Sequence, residues 1–288
     1  MKCLASLLII STFSCHAADS HSAKNIPYQS IPGVPRIRQL LDVHYDKDDT
    51  KTKNPVILWV HGGAWKFGDK SRSLHAKPKA FTQAGYVTVA LNYRFHPAAS
   101  WQEQADDVAR AAKWLTSHIS NYGGDPRRII LMGHSAGAHL AALTGADPSY
   151  LKKAGVFPSS IKAVVLLDGA GYDIPLAMTT SHGQHLKLYQ TVFGNDPATL
   201  KAASPVSHFK KGRTYPAYLA IPIAMRPKSV TQSRNLVAKI KTSGSIAEVF
   251  IAKNRTHSSL NRKIGEPMDA PTQAILMFLK KQLPAGIP

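Results

Sequence analysis

The segment that most constrains this chain runs from Ile129 to Leu140, where a short β-branched apolar run meets Gly133-His134-Ser135-Ala136-Gly137. An alanine- and leucine-rich helical pattern follows at once, so the pentapeptide has a strand, turn and helix context. A turn this tight strains its central residue, and the flanking glycines let neighbouring segments pack close to it. The pattern therefore predicts a nucleophile elbow with Ser135 as the candidate nucleophile.

A second glycine-containing turn follows the apolar run from Pro55 to Val60. That run is apolar on both faces, which is typical of a strand in the interior of a sheet. It ends in His61-Gly62-Gly63-Ala64-Trp65. Because consecutive glycines free backbone N–H groups to point into a site, Gly62 and Gly63 are candidate oxyanion-hole donors.

Apolar runs typical of buried strands alternate with helical patterns along the chain. The expected strands are 40–45, 55–60, 86–92, 129–132, 161–167, 216–224 and 247–252, and the expected helices are 71–84, 101–119, the segment after Ser135, 231–242 and 271–283. This alternation predicts a mostly parallel central sheet with helices on both faces and a ligand site at the carboxyl ends of the strands. Residues 174–211 are expected to form a small helical insertion over the site, after the sixth strand of the fold.

The loop after the last expected strand, residues 254–259, contains His257. Serine is a poor nucleophile at neutral pH and needs a base within hydrogen-bond reach, and histidine can both take the proton and return it to the leaving group. Among thirteen histidines, the position after the last strand favours His257 as this base. His61, His134 and His139 flank the glycine loop or the nucleophile and are expected to shape the site.

The N-terminal segment has a different character from the rest of the chain. Lys2 precedes the apolar run Leu4 to Phe13, and small residues follow where a signal peptidase cuts. We expect residues 1–17 to be a signal peptide and the protein to be exported to the periplasm or the medium. Residues 18–38, which are rich in proline, are expected to be an extended lead-in, and residues 39–288 to form one domain.

Both cysteines, Cys3 and Cys15, lie in this leader, so the mature chain is expected to have neither a disulfide nor a thiolate metal site. Cys15 follows a poor match to a lipidation site, although a lipidated cysteine stays an alternative. His182 and His185 have no carboxylate or cysteine partner at metal-ligand spacing and are expected to be solvated surface residues. No metal or organic cofactor is expected.

The formal net charge is +19, from 36 lysines and arginines against 17 acidic residues. The basic residues are dispersed and no basic run is interleaved with aromatic residues, which argues against specific nucleic-acid binding. A solvated basic surface in loose contact with anionic envelope material is the preferred interpretation.

With these motifs the chain resembles the α/β-hydrolase esterase/lipase family, and within it the exported acetyl-esterase-like and feruloyl-esterase-like branch. The resemblance covers roughly residues 40 to 283. It implies an α/β-hydrolase fold, a Ser135/His257 pair, and an oxyanion hole formed by the N–H groups of Ala136 and the Gly62-Gly63 segment. Related proteins often have a third glycine where Ala64 stands, a mild departure because the donor is backbone.

The triad acid is the main departure from the family pattern. The family usually places an aspartate in the loop before the Gln232-Ser233-Arg234 helix, and by that register Met225 occupies the acid position. A histidine without a carboxylate partner loses control of its tautomer, which costs on the order of 10⁴ in kcat in a serine protease. Asp168, which ends the strand next to that of the nucleophile, is the preferred substitute. The alternatives are Asp173, Glu266, Asp269 or no acid at all.

The resemblance implies a serine hydrolase that cleaves small carboxylic esters through an acyl-enzyme on Ser135. A formamidase-type amidase is the rival among enzymes. A catalytically impaired α/β-hydrolase that only binds a ligand is the other alternative, motivated by Met225. The expected partner is a small-molecule ester.

Overall fold

A computed structural model describes residues 20–169 and 171–283 of the chain. The described residues form eight strands and ten α-helices, which alternate from the third strand onwards. The strands are β1 (Ser20–Pro27), β2 (Leu40–Asp46), β3 (Asn54–Val60), β4 (Val87–Leu91), β5 (Gly124–His134), β6 (Ile161–Leu167), β7 (Ala217–Ile221) and β8 (Ala247–Val249). The helices are α1 (Lys77–Gln83), α2 (Trp101–His118), α3 (Ala136–Ala146), α4 (Pro148–Lys153), α5 (Ile174–Thr180), α6 (Gly183–Phe193), α7 (Pro197–Ala202), α8 (Pro227–Thr242), α9 (His257–Lys263) and α10 (Ala270–Gln282).

All eight strands belong to one sheet with the order β1-β2-β4-β3-β5-β6-β7-β8. The pairs β1/β2 and β2/β4 are antiparallel, and every other neighbouring pair is parallel. The central strands β3, β5 and β6 therefore end at the same edge, and β5 pairs with both of the others. This edge brings the glycine loop, the elbow and the residue after β6 side by side.

The strands of the sheet centre are buried on both faces, as their unbroken apolar sequences predict. In β3, Leu58 and Val60 belong to the core cluster on one face, and Ile57 and Trp59 belong to the cluster on the other. Helices α2, α3 and α8 pack on the first face, and α1, α9 and α10 pack on the second. The expected mostly parallel sheet with helices on both faces is confirmed.

The region expected to be an extended lead-in differs from the prediction over residues 20–27. These residues form β1, an antiparallel edge strand on β2 that contains a register shift between Ala23 and Ile26. Most of its side chains are exposed, and its sequence, SHSAKNIP, therefore lacks the alternation of apolar and polar residues by which a half-buried strand is predicted. The free edge of β2 makes it a strand, because extended backbone next to that edge finds partners for its N–H and C=O groups.

Two smaller differences concern helices. The helix expected over 71–84 begins only at Lys77, and turns precede it. Residues 174–211 do form a helical insertion after the sixth strand, made of α5, α6, α7 and a short 3₁₀ helix at Pro205–Ser207.

The expected signal peptide, residues 1–17, lies outside the described residues. Across residues 20–169 and 171–283, none of the helices has the length and apolar character needed to cross a bilayer.

Candidate active site

The turn between β5 and α3 has the strained backbone that its sequence predicts. Ser135 has φ +55° and ψ −122°, a conformation that side-chain-bearing residues rarely adopt. Its N–H donates to the carbonyl of Leu167, the last residue of β6, at 3.0 Å. The turn is thereby fixed to the carboxyl end of the neighbouring strand, with the Ser135 side chain at the start of α3.

The glycines of the elbow allow the helix that follows to approach the glycine loop. A Cβ on Gly137 would lie 2.2 Å from the Val60 carbonyl oxygen and 2.4 Å from that of His61, which are backbone atoms with little room to move. A Cβ on Gly62 would lie 3.1 Å from that of Ser135. Only glycine at these positions lets the end of β3 and the elbow touch.

The same contact brings the expected oxyanion donors together. Ala136 is the first residue of α3, so its N–H has no carbonyl partner within the helix. The glycine loop lies against it through Gly62, and Gly63 has φ +132°, which suits glycine. Ala64 has φ +50°, a left-handed conformation in which its Cβ causes strain that a glycine would avoid.

His257 is the first residue of α9, and its imidazole is bound to Asp168. The distance from His257 Nδ1 to Asp168 Oδ2 is 2.6 Å. Thr256 caps the helix and forms a reciprocal capping box with Ser259, which fixes the backbone at His257. A proton on Nδ1 that is shared with this carboxylate leaves Nε2 unprotonated, and that is the tautomer a general base requires.

Asp168 follows β6 directly and is almost fully buried. Its N–H donates to the Ile221 carbonyl at 2.9 Å, and its φ of +39° turns the side chain out of the strand register. Ser229 Oγ donates to Asp168 Oδ1 at 2.7 Å. Burial alone raises the pKa of Asp168, but the hydrogen bond from His257 and the charge of Arg226 outweigh it and hold the pKa at about 2.

Arg226, the residue before α8, is the third partner of this pair. Its Nη1 lies 2.7 Å from Asp168 Oδ2 and 3.0 Å from His257 Nδ1. An arginine can only donate hydrogen bonds, and a carboxylate is a better acceptor than an imidazole nitrogen. The N–H of Arg226 Nη1 and the N–H of His257 Nδ1 therefore both donate to Asp168 Oδ2. The guanidinium compensates the buried carboxylate and places a positive charge beside the base.

The other carboxylates considered from the sequence lie elsewhere in the described structure. Asp173 caps α5 through Leu176 N–H, Asp269 binds Arg255 at 2.6 Å, and Glu266 is exposed. Met225 is 71% exposed to solvent. The structure thus brings Asp168, of the four candidates, to the imidazole of His257.

The three histidines expected to shape the site are buried in it. His134 Nε2 donates to the His257 carbonyl at 3.0 Å, and its ring lies 4.4 Å from that of His257. His61 Nδ1 donates to the Gly62 carbonyl at 2.7 Å. His139 accepts a hydrogen bond from Trp65 Nε1 at 3.2 Å and donates to the carbonyl of Ala203 at 2.8 Å, which links the glycine loop to the insertion.

Burial makes these three imidazoles neutral. Desolvation lowers the pKa of His61 and of His139 to about 4, and desolvation with the nearby His257 lowers that of His134 to about 3. Unfolding returns each to about 6.5, so the unfolded chain binds more protons below that pH and stability falls as the pH falls.

We expect the free energy of unfolding to decrease between pH 6.5 and pH 4, by about 2 kcal/mol for each of the three histidines at pH 5. Urea denaturation at pH 7, 6 and 5 measures it. Replacing His139 with glutamine should reduce the slope of the unfolding free energy against pH by the equivalent of about one proton. A stability that stays constant from pH 7 to pH 5 contradicts the assignment.

Ser135, His257 and Asp168 line one cavity of about 320 Å³. Ser135 and His257 also line the adjoining opening beside Gly62 and Gly63. In the described ranges no hydrogen bond joins Ser135 Oγ to the imidazole. Such contacts are often long in the absence of substrate and tighten when it binds.

The sequence analysis expected the insertion over the site but assigned no site role to the residues that the insertion and the loop before α8 bring to the cavity. The cavity is lined by Tyr189, Leu188 and His185 of α6 and by Arg226 of the loop before α8. The aromatic contacts of Trp65 with Phe193, at 5.0 Å, and with Tyr189, at 6.0 Å, hold α6 in place. The only sequence signal for Arg226 was its position beside Met225, in the loop where the family usually has its acid.

Proteins of known structure share this architecture. The chain superposes on esterase B from Lactobacillus rhamnosis with a TM-score of 0.74 and 18% sequence identity, over 92% of this chain and 88% of the other. A truncated carbohydrate esterase from gut microbiota gives a TM-score of 0.73 at 21% identity, over 92% and 97% of the two chains. At such identities the likeness shows the fold.

Curated relatives are more similar in sequence but much longer. The probable carboxylic ester hydrolase LipM of Mycobacterium tuberculosis is 36% identical over 171 residues, which are 57% of this chain and 39% of the relative. Esterase LipQ of the same organism is 30% identical over 203 residues, or 67% and 48% of the two chains. The chain thus spans less than half the length of these two relatives.

The fold, the elbow and the imidazole–carboxylate pair at the carboxyl edge of the sheet define a protein of the α/β-hydrolase esterase class. Within this class the chain belongs to the BD-FAE family, whose model matches residues 41–221. The match includes the glycine loop, the elbow and Asp168, and His257 follows it in the chain.

Proposed function

We propose that this protein is a serine hydrolase of small carboxylic esters, with Ser135 as nucleophile, His257 as general base and Asp168 as the acid of the triad. The observation that carries the proposal is the 2.6 Å contact between His257 Nδ1 and Asp168 Oδ2 in the cavity that Ser135 lines. The carboxylate sets the tautomer of the imidazole, and the strained elbow holds the hydroxyl at the edge of the sheet.

The reaction follows from these positions. Ser135 Oγ attacks the acyl carbon while its proton passes to His257 Nε2, and the oxyanion that forms accepts hydrogen bonds from the N–H groups of Ala136, Gly62 and Gly63. His257 returns the proton to the alcohol as the ester C–O bond breaks. Water, deprotonated by His257, then attacks the acyl-enzyme and releases the acid and Ser135. Asp168 stays ionised and stabilises the transient imidazolium.

A fluorophosphonate probe tests the nucleophile. We expect one probe per chain, mapped by peptide mass spectrometry to Ser135, and no labelling of a Ser135→Ala variant that keeps the wild-type melting temperature. Denatured wild-type protein is the second control, because an activated serine reacts only in the folded site. Equal labelling of the variant, or of the denatured chain, refutes the proposal.

A formamidase-type amidase uses the same three groups and is the second candidate. Turnover rates measured under the same conditions with p-nitrophenyl acetate and with an N-formyl substrate distinguish the two activities. Faster turnover of the ester supports the proposal, and faster turnover of the formamide supports the alternative. The alternative of a catalytically impaired binding protein was motivated by Met225 in the usual acid position. The contact between Asp168 and His257 argues against it, because Asp168 provides the carboxylate that Met225 lacks.

We also propose that the protein is exported, on the leader pattern of residues 1–17. Fractionation of cells that express the full chain, with immunodetection of a product shortened at its N-terminus, tests this.

A further inference from the structure

A second cavity of about 480 Å³ adjoins the active-site cavity. It lies between α5 and α6 of the insertion on one side and the N-terminal end of α8 on the other. The two cavities share three lining residues, His185, Tyr189 and Arg226. A substrate with its ester carbon at Ser135 therefore has room to extend past Arg226 into this space.

Two cationic side chains, Arg226 and Lys228, line this second cavity together with the histidines His182 and His185. None of its described lining residues is an aspartate or glutamate. Lys228 Nζ donates to the Thr180 carbonyl, which holds the ammonium at the rim without neutralising it. The carboxylate that pairs with Arg226, Asp168, is buried and also engaged with His257 and Ser229.

Arg226 retains donors for a ligand. Among residues 20–169 and 171–283, every hydrogen bond of its side chain is made by Nη1, which leaves Nη2 and Nε uncommitted. Its side chain is 36% exposed, so part of the guanidinium is accessible from the cavities that it lines. A guanidinium anchored at one nitrogen is a preorganised partner for a planar anionic group.

The sequence context points in the same direction. No aspartate or glutamate occurs between Asp196 and Glu248, so Arg226 and Lys228 lie in a long segment without acidic residues. The formal net charge of +19 attracts anionic ligands over longer distances. The local and global charges both favour a substrate with a negative group.

We propose that the ester substrate of this protein carries a carboxylate, which the second cavity binds through Arg226 and Lys228. This inference rests on the proposed esterase function and names its substrate class. In this arrangement Arg226 pairs with Asp168 through Nη1 and binds the substrate carboxylate through Nη2 and Nε.

Matched pairs of esters test the proposal on either side of the ester bond. For the alcohol side, 4-acetoxybenzoate is compared with its methyl ester. For the acyl side, 4-nitrophenyl monoadipate is compared with its methyl ester. We expect kcat/KM to favour the anionic member by about tenfold or more in at least one pair, as expected of a charge-assisted hydrogen bond. High salt should reduce this ratio.

Variants connect the preference to the cavity. Arg226→Gln and Lys228→Gln should each reduce the ratio of anionic to neutral kcat/KM, and Arg226→Lys should retain part of it. Lys239→Gln is the matched control, because Lys239 is an exposed lysine of α8 that lies about 16 Å from Lys228 along the helix axis. This substitution should leave the ratio unchanged. The ratio is the readout because Arg226 also contacts the triad.

Each outcome has a defined meaning. Hydrolysis of the neutral esters with no anionic preference in either pair, or a preference that Arg226→Gln and Lys228→Gln both leave intact, overturns the anion site and leaves the esterase proposal standing. Absence of all hydrolysis together with absence of probe labelling overturns the esterase proposal. In that case, calorimetric binding of 4-hydroxybenzoate against its methyl ester still decides the anion site.

Discussion

Replacing Ser135 with alanine or His257 with glutamine is expected to lower kcat by on the order of 10⁶, and combining the two should lower it no further. The two groups act as one unit, because the hydroxyl is a nucleophile only while the imidazole takes its proton. Once either is lost, the remaining rate comes from binding and from the oxyanion donors, which both variants retain. Steady-state kinetics on p-nitrophenyl acetate with the two single variants and the double variant measure this.

A matched control for this prediction is His21→Gln, which replaces an exposed histidine of β1, at the edge of the sheet. We expect its kcat for p-nitrophenyl acetate to stay within about threefold of the wild-type value, as for a surface substitution outside the site. Additive losses in the double variant, or a near-normal rate for His257→Gln, contradict the assignment of His257 as base.

Replacing Asp168 with asparagine is expected to lower kcat by about 10⁴, or about 5 kcal/mol of barrier. An amide in this position removes the negative charge that stabilises the imidazolium and permits the wrong tautomer of His257. With a pKa held at about 2, the wild-type carboxylate is ionised throughout the range from pH 6 to pH 9, so this loss should persist across it. The measurement is kcat against pH, with the melting temperature as a check on folding.

Met225→Asp separates this triad from the arrangement usual in the family. In the wild-type background we expect it to change kcat little, because Asp168 already binds the imidazole and the side chain at 225 is 71% exposed. A large gain from this substitution alone means that Asp168 does not serve His257. A near-normal rate for Asp168→Asn leads to the same conclusion by an independent route.

The parts of the fold that were predictable are those in which local sequence and tertiary role agree. The runs at 55–60 and 161–167 are apolar on both faces because those strands lie in the sheet centre, and their bounds are close to those of β3 and β6. The insertion was predictable as helical and as a single interruption of the alternation. By contrast, β1 has mostly exposed side chains, and only pairing with β2 makes it a strand.

The candidate site shows the same division. Ser135 and the two glycines were identifiable because strain and close backbone approach demand particular residues at particular spacings. His257 was identifiable from its position after the last strand. Asp168 was one of four candidates, and Arg226 was not considered, because a contact between residues 89 apart leaves no periodic trace in the sequence.

The sequence by itself determined the elbow, the glycine loop, the layered architecture and the place of the imidazole, since each depends on local conformation or on the order of elements. Only the tertiary structure decided which carboxylate meets His257 and which cation stands beside both. Those choices depend on where β6, the loop before α8 and α9 end relative to one another, and the packing of the whole sheet fixes those positions.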